Sequence, residues 1–288
     1  IINFSLLNIY IVIPAHNEQD YIASMLESLT KQTVLPKKVI VVNDNSTDKT
    51  SEIISEFSNK YNWIETKDST SSTDHTPGSK VVKAFNSGLE MLDNSYDVIC
   101  KFDSDIILPD DYLEKIITLF KSDEKIGITG GLAFIERGDK WVYESIASKE
   151  HVRGPFKAYR KSCFEDIGGL KESIGWDTVD TLLAKYYGWK VKTDKNLHVK
   201  HLKPTGKIYN KKSKFSFGEG LYKMRMGFTL SFLSALKSCL NKRSLSYFVN
   251  TIRGYIKAKL NNKQYIVTKE QGKFIRKLRW DNILKSFF

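Results

Sequence analysis

The sequence predicts an α/β fold with a mostly parallel sheet flanked by helices. Apolar runs rich in β-branched residues recur along the first two thirds of the 288-residue chain. Stretches with apolar residues at helical spacing separate these runs, and such alternation is typical of βαβ units. Polar, turn-forming residues follow several runs directly, at the sheet edge where open parallel sheets bind ligands. With 41% hydrophobic residues, the chain can form one large domain, or one domain and an appendage.

The first elements form two successive strand–loop–helix units. Residues 7–13 are an apolar, β-branched run, and residues 19–31 carry apolar residues on one helical face. Residues 38–42 repeat the strand pattern, and a polar loop over residues 43–48 precedes the next helix. Right-handed crossovers place the two loops at the same edge of the sheet.

A third apolar run, over residues 97–102, ends in Asp103-Ser104-Asp105. Two carboxylates at this spacing on a turn can hold one hard divalent cation, and Mg²⁺ held in this way bridges substrate phosphates. A lone Asp-x-Asp is also common in solvated turns. Here the carboxylates follow a predicted buried strand at the ligand-binding edge of the sheet, which favours the cation site.

Shorter elements complete the predicted body. We expect strands over residues 61–66, 126–134 and 189–193, and helices over residues 80–92, 110–121, 161–166 and 177–187. The stretch over residues 67–79, which is rich in Ser, Thr and Asp, is expected to be a surface loop.

Charge separates the chain into two predicted domains, residues 1–206 and 207–288. The second contains 19 Lys and Arg against 3 Asp and Glu, whereas the first contains 26 against 30. Two amphipathic helices with interleaved Lys and Arg are predicted in the second. Such helices either pack on the body with a solvated basic face or contact an anionic membrane surface.

Cysteine usage and the N-terminus predict a cytoplasmic location, peripheral at the inner face of the membrane if the basic helices bind lipid. Cys100, Cys163 and Cys239 offer neither a disulfide framework nor zinc spacing. The first residues lack the features of a signal peptide, and no apolar run reaches transmembrane length. No stacking-and-basic motif supports nucleic-acid binding.

Five motifs, in order, closely resemble family-2 glycosyltransferases of the GT-A fold over about the first 200 residues. They are Val12-Ile-Pro-Ala-His-Asn-Glu18, Val39-Ile-Val-Val-Asn-Asp-Asn-Ser-Thr-Asp48, Lys80 to Gly88, Asp103-Ser104-Asp105, and Gly168-Gly169-Leu170. The resemblance implies a Rossmann-like GT-A body, a nucleotide-diphosphate-sugar donor, a divalent metal (Mn²⁺ or Mg²⁺) and inversion at the anomeric carbon.

The same resemblance implies residue roles. Positions that would contact the nucleotide sugar are Pro14, Ala15, Glu18, Asp44, Lys80, Asp103 and Ser104. Positions that would bind the metal are Asp103, Asp105 and, as a third ligand or a diphosphate contact, His201, with His198 as the competing candidate. The family often has Asp-Asp-Gly-Ser where this chain has Asn43-Asp44-Asn45-Ser46, so Asp44 is retained.

The catalytic base is expected at Asp177. The family places a Glu-Asp pair some eleven residues before a Gly, and Trp176-Asp177 precedes Gly188 at that distance. Because Trp176 replaces the Glu, Asp180 is the alternative. A direct displacement needs one carboxylate to take the proton from the acceptor hydroxyl. An Asp at a helix N-terminus can also serve only to stabilise the helix dipole.

The predicted function is therefore inverting transfer of a sugar to a growing surface glycan or a lipid-linked sugar. A nucleotide-binding scaffold without turnover is the alternative, and the retained Asp44, Asp103, Asp105 and Asp177 argue against it. A sugar nucleotidyltransferase would need a Gly-rich phosphate loop after the first strand, and residues 14–18 contain no glycine.

Overall fold

The computed structural model describes residues 7–70, 78–146, 148–203 and 214–285. The chain forms two compact units. Unit 1 comprises Ile1–Thr73, Val81–Leu170 and Tyr187–Thr205, and unit 2 comprises Asp74–Lys80, Lys171–Tyr186 and Gly206–Phe288. Unit 2 thus takes in residues 74–80 and 171–186 in addition to the C-terminal stretch that the charge distribution separates.

Unit 1 is an α/β unit. Its strands are β1 Ile9–Ala15, β2 Lys38–Asp44, β3 Ile64–Ser69, β4 Val98–Phe102, β5 Ile106–Ile107, β6 Ile126–Arg137, β7 Lys140–Tyr143, β8 Phe156–Arg160 and β9 Lys190–His201. Its helices are α1 Ile22–Thr30, α2 Thr50–Lys60, α3 Ser79–Leu89, α4 Tyr112–Ser122 and α5 Lys161–Asp166, with the first two residues of α3 grouped with unit 2.

The strands form one sheet in the order β3-β2-β1-β4-β8-β6-β9-β5, and β7 pairs with β6. The first four strands in this order are parallel, and β9 is parallel to β6. β8 is antiparallel to both of its neighbours, and β5 is antiparallel to β9. The predicted α/β class is confirmed, and the sheet is mixed. β1, β2 and β4 end at the same edge, as their parallel pairing requires.

Burial on both faces explains the continuous apolar runs of the central strands. All seven residues of β1 are buried. Ile11 of β1 and Val41 of β2 belong to the core that also contains the apolar residues of α1 and α4. On the other face, a Cβ at Gly88 of α3 would lie 2.6 Å from Val12 and 2.7 Å from Val42, so the glycine permits close helix–sheet packing.

Unit 2 contains the helices α6 Trp176–Tyr186, α7 Ser216–Lys223, α8 Phe228–Lys242, α9 Leu245–Leu260 and α10 Lys269–Leu284. The predicted C-terminal helical extension is confirmed, with α8 and α9 at the predicted positions. Two glycines allow α7 and α9 to touch: a Cβ at Gly218 would lie 1.9 Å from the Thr251 carbonyl oxygen, and one at Gly254 would lie 2.1 Å from that of Phe215. None of the described helices in the chain is long and apolar enough to cross a membrane.

Some elements differ from the sequence-based expectation. β9 continues to His201, so His198 and His201 lie within a strand rather than after it. β5, β7 and β8 have no counterpart in the predicted pattern, because β5 has two residues and β7 and β8 carry Lys and Arg among their apolar residues. The expected loop over residues 67–79 starts as part of β3, and its residues 71–77 lie outside the described part of the chain.

Candidate active site

The loops that follow β1 and β2 are bonded to each other. The backbone N–H of Asn17 donates to Oγ of Ser46 at 3.1 Å, and the Thr47 N–H donates to Oδ1 of Asn17 at 2.8 Å. Asn17 has φ +53°, a left-handed conformation that asparagine tolerates better than most residues. Pro14 and Ala15 are buried at the end of β1, and Asp44 is buried at the end of β2. These predicted nucleotide-binding residues therefore lie at one sheet edge.

The contacts of Asn43 explain why this chain has Asn where the family often has Asp. Its Nδ2 donates to Oδ1 of Asp68 on β3 at 2.9 Å, and its Oδ1 accepts from the Ser46 N–H at 3.3 Å. A carboxylate at position 43 could accept but not donate, and it would face the charge of Asp68. The amide therefore fits its neighbours on both sides.

Asp103 is held by a lysine that belongs to the core. Lys101 lies within the apolar run of β4, its side chain is 2% exposed, and its Nζ pairs with Oδ1 of Asp103. The Asp103 N–H donates to the Pro155 carbonyl at 2.8 Å. Ser104, the next residue, is buried. A charged residue inside an apolar strand was a signal in the sequence that Lys101 has a specific partner.

Asp105 is a buried carboxylate that lies beside His201. Its Oδ1 has no hydrogen-bond partner among the described residues, and its Oδ2 lies 3.7 Å from Nε2 of His201. Pairing of β5 with β9 sets Ile106 opposite His201, which holds the two side chains at this distance. Burial raises the pKa of Asp105, as does the charge of Asp103, while His201, Lys203 and Lys101 oppose the shift. A cation beside Oδ1 would relieve this penalty on the charged form.

The buried ion pair of Glu144 and Arg153 orients His201 through the Nδ1 side of its ring. Its Nδ1 lies 3.0 Å from Oε2 of Glu144, and the same oxygen pairs with Nη1 of Arg153. Glu144 is 3% exposed and Arg153 is 7% exposed. No motif pointed to either residue, because Glu144 follows the short strand β7 and Arg153 lies in an irregular segment. Carboxylates that hold the far nitrogen of a metal-binding histidine are common in metal sites.

Glu18 forms a second ion pair at this edge. Its Oε2 lies 2.6 Å from Nζ of Lys203, and the Glu18 N–H donates to Oγ1 of Thr50 at 2.7 Å. Burial raises the pKa of Glu18, and the hydrogen bond from Lys203 opposes this rise. Nζ of Lys203 also lies 4.8 Å from the ring centroid of Tyr21. The pair joins the loop after β1 to the residues after β9.

The donor set fits a divalent cation that is shared with a ligand. Among the residues that the structure describes, no group of three or more His, Cys, Asp or Glu could hold a metal ion by itself. Asp105 and His201 would supply one oxygen and one nitrogen, and substrate phosphates commonly complete such sites. A carboxylate with an imidazole suits Mn²⁺, and carboxylate with phosphate oxygens suits Mg²⁺. His198, the competing candidate, instead packs its ring 4.0 Å from that of Phe134.

The remaining predicted site residues belong to unit 2. Lys80 is the second residue of α3, and Asp177 is the second residue of α6. Asp177 is partly exposed, whereas Asp180 is 2% exposed and its carboxylate accepts from the Thr181 N–H. Trp176 is buried at the start of α6. The roles of Lys80 as a nucleotide-sugar contact, and of Asp177 or Asp180 as the catalytic base, therefore stay predictions.

Similarity to known proteins adds to these observations. Over 208 residues the chain is 27% identical to "Probable glycosyltransferase YdaM" of Bacillus subtilis, covering 63% of this chain and 47% of that protein. Over 186 residues it is 24% identical to the poly-beta-1,6-N-acetyl-D-glucosamine synthase of Staphylococcus epidermidis, covering 58% and 41%. The chain thus spans less than half the length of these two relatives.

Solved structures share the fold. TarS 1–349 of S. aureus in complex with UDP-GlcNAc matches with a TM-score of 0.57 and 20% identity, over 81% of this chain and 67% of that one. The mannosyltransferase PcManGT of Pyrobaculum calidifontis, in complex with GDP-Man and Mn²⁺, matches with a TM-score of 0.57 and 12% identity, over 99% and 82%. The architecture is therefore that of GT-A glycosyltransferases.

The family model described as "Glycosyl transferase family 2" matches residues 10–171, a range that contains β1, β2 and the Asp103-Ser104-Asp105 motif. This match covers more than half of the chain. The chain therefore belongs to glycosyl transferase family 2.

Proposed function

We propose that the chain is an inverting glycosyltransferase that moves a sugar from a nucleotide-diphosphate sugar to an acceptor hydroxyl with the help of a divalent cation. One observation carries the proposal. Oδ1 of Asp105 is buried without a hydrogen-bond partner among the described residues, opposite His201, at the ligand-binding edge of a family-2 sheet. A buried, unpaired carboxylate oxygen is costly unless a ligand neutralises it.

The proposed donor site uses residues of unit 1. Asp105 and His201 hold the cation together with the donor diphosphate, and Asp103 lies beside them. Asp44 and the end of β1 receive the nucleoside. When bound, the cation offsets the negative charge that develops on the departing nucleoside diphosphate. Glu144 fixes the proton of His201 on Nδ1, which leaves Nε2 free to face the site.

The proposed catalytic base is Asp177, with Asp180 as the alternative. The base takes the proton from the acceptor hydroxyl while the hydroxyl oxygen forms a bond to the anomeric carbon. The bond from that carbon to the diphosphate oxygen breaks in the same step, so the configuration inverts. The partial exposure of Asp177 supports it over Asp180, because a base must reach the acceptor.

The donor to test first is a UDP-N-acetylhexosamine. One relative is named a poly-N-acetylglucosamine synthase, and one structural neighbour was solved with UDP-GlcNAc. The proposed acceptor is a glycan or a lipid-linked sugar, since the synthase is named for a glycan product.

The test is binding and hydrolysis of UDP-, GDP- and dTDP-sugars with Mn²⁺, with Mg²⁺ and with EDTA. We expect metal-dependent binding of one donor, which Asp105→Ala weakens and the matched change Asp110→Ala, at an exposed position, leaves intact. We expect slow hydrolysis to disappear in Asp177→Asn while donor binding remains.

If no nucleotide binds in a metal-dependent way, the proposal is wrong. If a donor binds but no acceptor extract gives turnover, the non-catalytic scaffold is the better assignment.

A further inference from the structure

Helix α8 exposes an apolar face. Phe228, Phe232, Leu236 and Leu240 follow one another at four-residue spacing and are 53%, 40%, 41% and 70% exposed. The buried side of the helix carries Leu230, Ser231 and Ala235. A surface helix normally turns its polar side to solvent. α8 instead exposes four large apolar side chains to solvent, and large exposed apolar patches mark interaction sites.

Helix α9 repeats this arrangement. Leu245, Val249, Ile256 and Leu260 are 71%, 37%, 43% and 75% exposed and occupy one side of the helix. The buried side carries Thr251, Gly254, Tyr255 and Ala258, and the close approach of α7 at Gly254 shows why small residues are needed there. Since α9 packs through small residues, its large aliphatic side chains are left on the exposed side.

The two exposed faces adjoin each other within unit 2. The ring of Phe232 on α8 lies 5.3 Å from that of Phe248 on α9, with centroids in an edge-to-face arrangement. Phe228 similarly lies 5.9 Å from Tyr255. We use the name hairpin face for the eight exposed apolar residues of α8 and α9, which are Phe228, Phe232, Leu236, Leu240, Leu245, Val249, Ile256 and Leu260.

The charged residues of α8, α9 and the segments that flank them have a single sign. Residues 220–269 contain ten Lys and Arg and neither Asp nor Glu. Lys237, Arg253, Lys257 and Lys259 are exposed on the same two helices. Arg253 and Lys257 border the row that contains Ile256 and Leu260. Exposed apolar side chains flanked by cations match an anionic lipid surface, into which the apolar groups insert while the cations contact head groups.

We propose that the hairpin face binds the surface of an anionic phospholipid membrane, with α8 and α9 lying in the interface. A second copy of the chain is disfavoured as the occupant, because two such surfaces would place the five Lys and Arg of α8 and α9 against the same five. The proposal does not depend on the proposed transferase activity.

The experiment measures sedimentation of the purified chain with vesicles of phosphatidylcholine alone and of phosphatidylcholine mixed with phosphatidylglycerol. We expect binding to the mixed vesicles that weakens with salt. The double variant Arg253→Gln/Lys257→Gln should lower the partition coefficient roughly 30-fold. Its control, Lys31→Gln/Lys125→Gln, makes the same change in net charge at exposed positions of unit 1 and should have little effect.

A second variant tests the apolar contribution. Leu240→Ser/Leu260→Ser replaces the two side chains of the hairpin face that lie at 70% and 75% exposure, so folding should be preserved. We expect at least about a tenfold loss of binding to the mixed vesicles. Equal binding of wild type and both variants, or no preference for anionic vesicles, would overturn the proposal. The proposal would also be overturned if light scattering found a wild-type dimer that the Leu240→Ser/Leu260→Ser variant no longer forms, and neither protein bound vesicles.

Discussion

Oε2 of Glu144 lies 3.0 Å from Nδ1 of His201, although the two residues are 57 positions apart. A carboxylate can only accept, so this contact places a proton on Nδ1 and turns Nε2 toward Asp105. Nε2 in turn lies 3.7 Å from Oδ2 of Asp105. Arg153 pairs with the same oxygen of Glu144 and fixes it in this position. The chain thus sets Nε2 of this imidazole beside the carboxylate of Asp105.

We expect Glu144→Gln to weaken Mn²⁺ binding in the presence of nucleotide by about 10–100-fold, because the amide can donate to Nδ1 and move the proton to Nε2. Electron paramagnetic resonance of free Mn²⁺ measures the affinity, and ¹⁵N chemical shifts of His201 report the tautomer without any turnover. Glu150→Gln is the control, since Glu150 is exposed and pairs with Lys195 at 2.5 Å. Unchanged affinity together with an unchanged tautomer would contradict this role for Glu144.

The Glu18–Lys203 pair should be coupled more strongly than an exposed pair. The Glu18 and Lys203 side chains are 15% and 34% exposed, against 73% and 56% for Glu150 and Lys195. A double-mutant cycle with Glu18→Gln and Lys203→Met, followed by urea unfolding, should give a coupling energy of about 1–2 kcal/mol. The matched cycle on the exposed pair should give less than about 0.5 kcal/mol. Equal values would show that burial does not strengthen the first pair.

Gly218→Ala should destabilise the protein by about 1–3 kcal/mol, because the added methyl group would lie 1.9 Å from the Thr251 carbonyl oxygen, which belongs to the backbone of α9. Gly220→Ala, on the same helix, is the control. Its Cβ would meet a side-chain atom of Ile174 at 3.1 Å, which a small rotation can relieve. Thermal unfolding should therefore show a lower Tm for Gly218→Ala than for Gly220→Ala. The reverse order would argue against the close α7–α9 contact.

Asp93 should lose its stabilising effect in acid. Hydrogen bonds from Ser95, with a further one from Tyr10, lower the pKa of Asp93 from 3.8 to about 2. Since the folded-state pKa lies below the unfolded one, the contribution is complete above about pH 4 and is lost as the pH falls toward 2. The difference in unfolding free energy between wild type and Asp93→Asn should therefore shrink over this interval. In Ser95→Ala, which removes the hydroxyl and keeps the backbone N–H, carboxyl NMR should find the Asp93 pKa closer to 3.8. An unchanged pKa would exclude the Ser95 hydroxyl as the main cause.

The local sequence pattern was sufficient to predict the strands whose residues form continuous apolar runs. β1, β2 and β4 are buried on both faces, so their sequences are continuous apolar runs and are recognisable as strands. The Asp103-Ser104-Asp105 turn was recognisable for the same reason, because it ends such a run. β5, β7 and β8 were not recognisable, since two residues or a strand with interspersed Lys and Arg give no clear period.

The sequence by itself determined the family, the ligand-binding edge of the sheet, and the position of Asp105 at that edge, because these follow from the order of strands and turns along the chain. Only the tertiary structure decided that Oδ1 of Asp105 has no hydrogen-bond partner among the described residues and that Glu144 supports His201. Those facts depend on pairing between β5 and β9 and between β6 and β7. Such pairings join residues that are distant in sequence, and their partners are chosen by the packing of the whole sheet rather than by any local pattern.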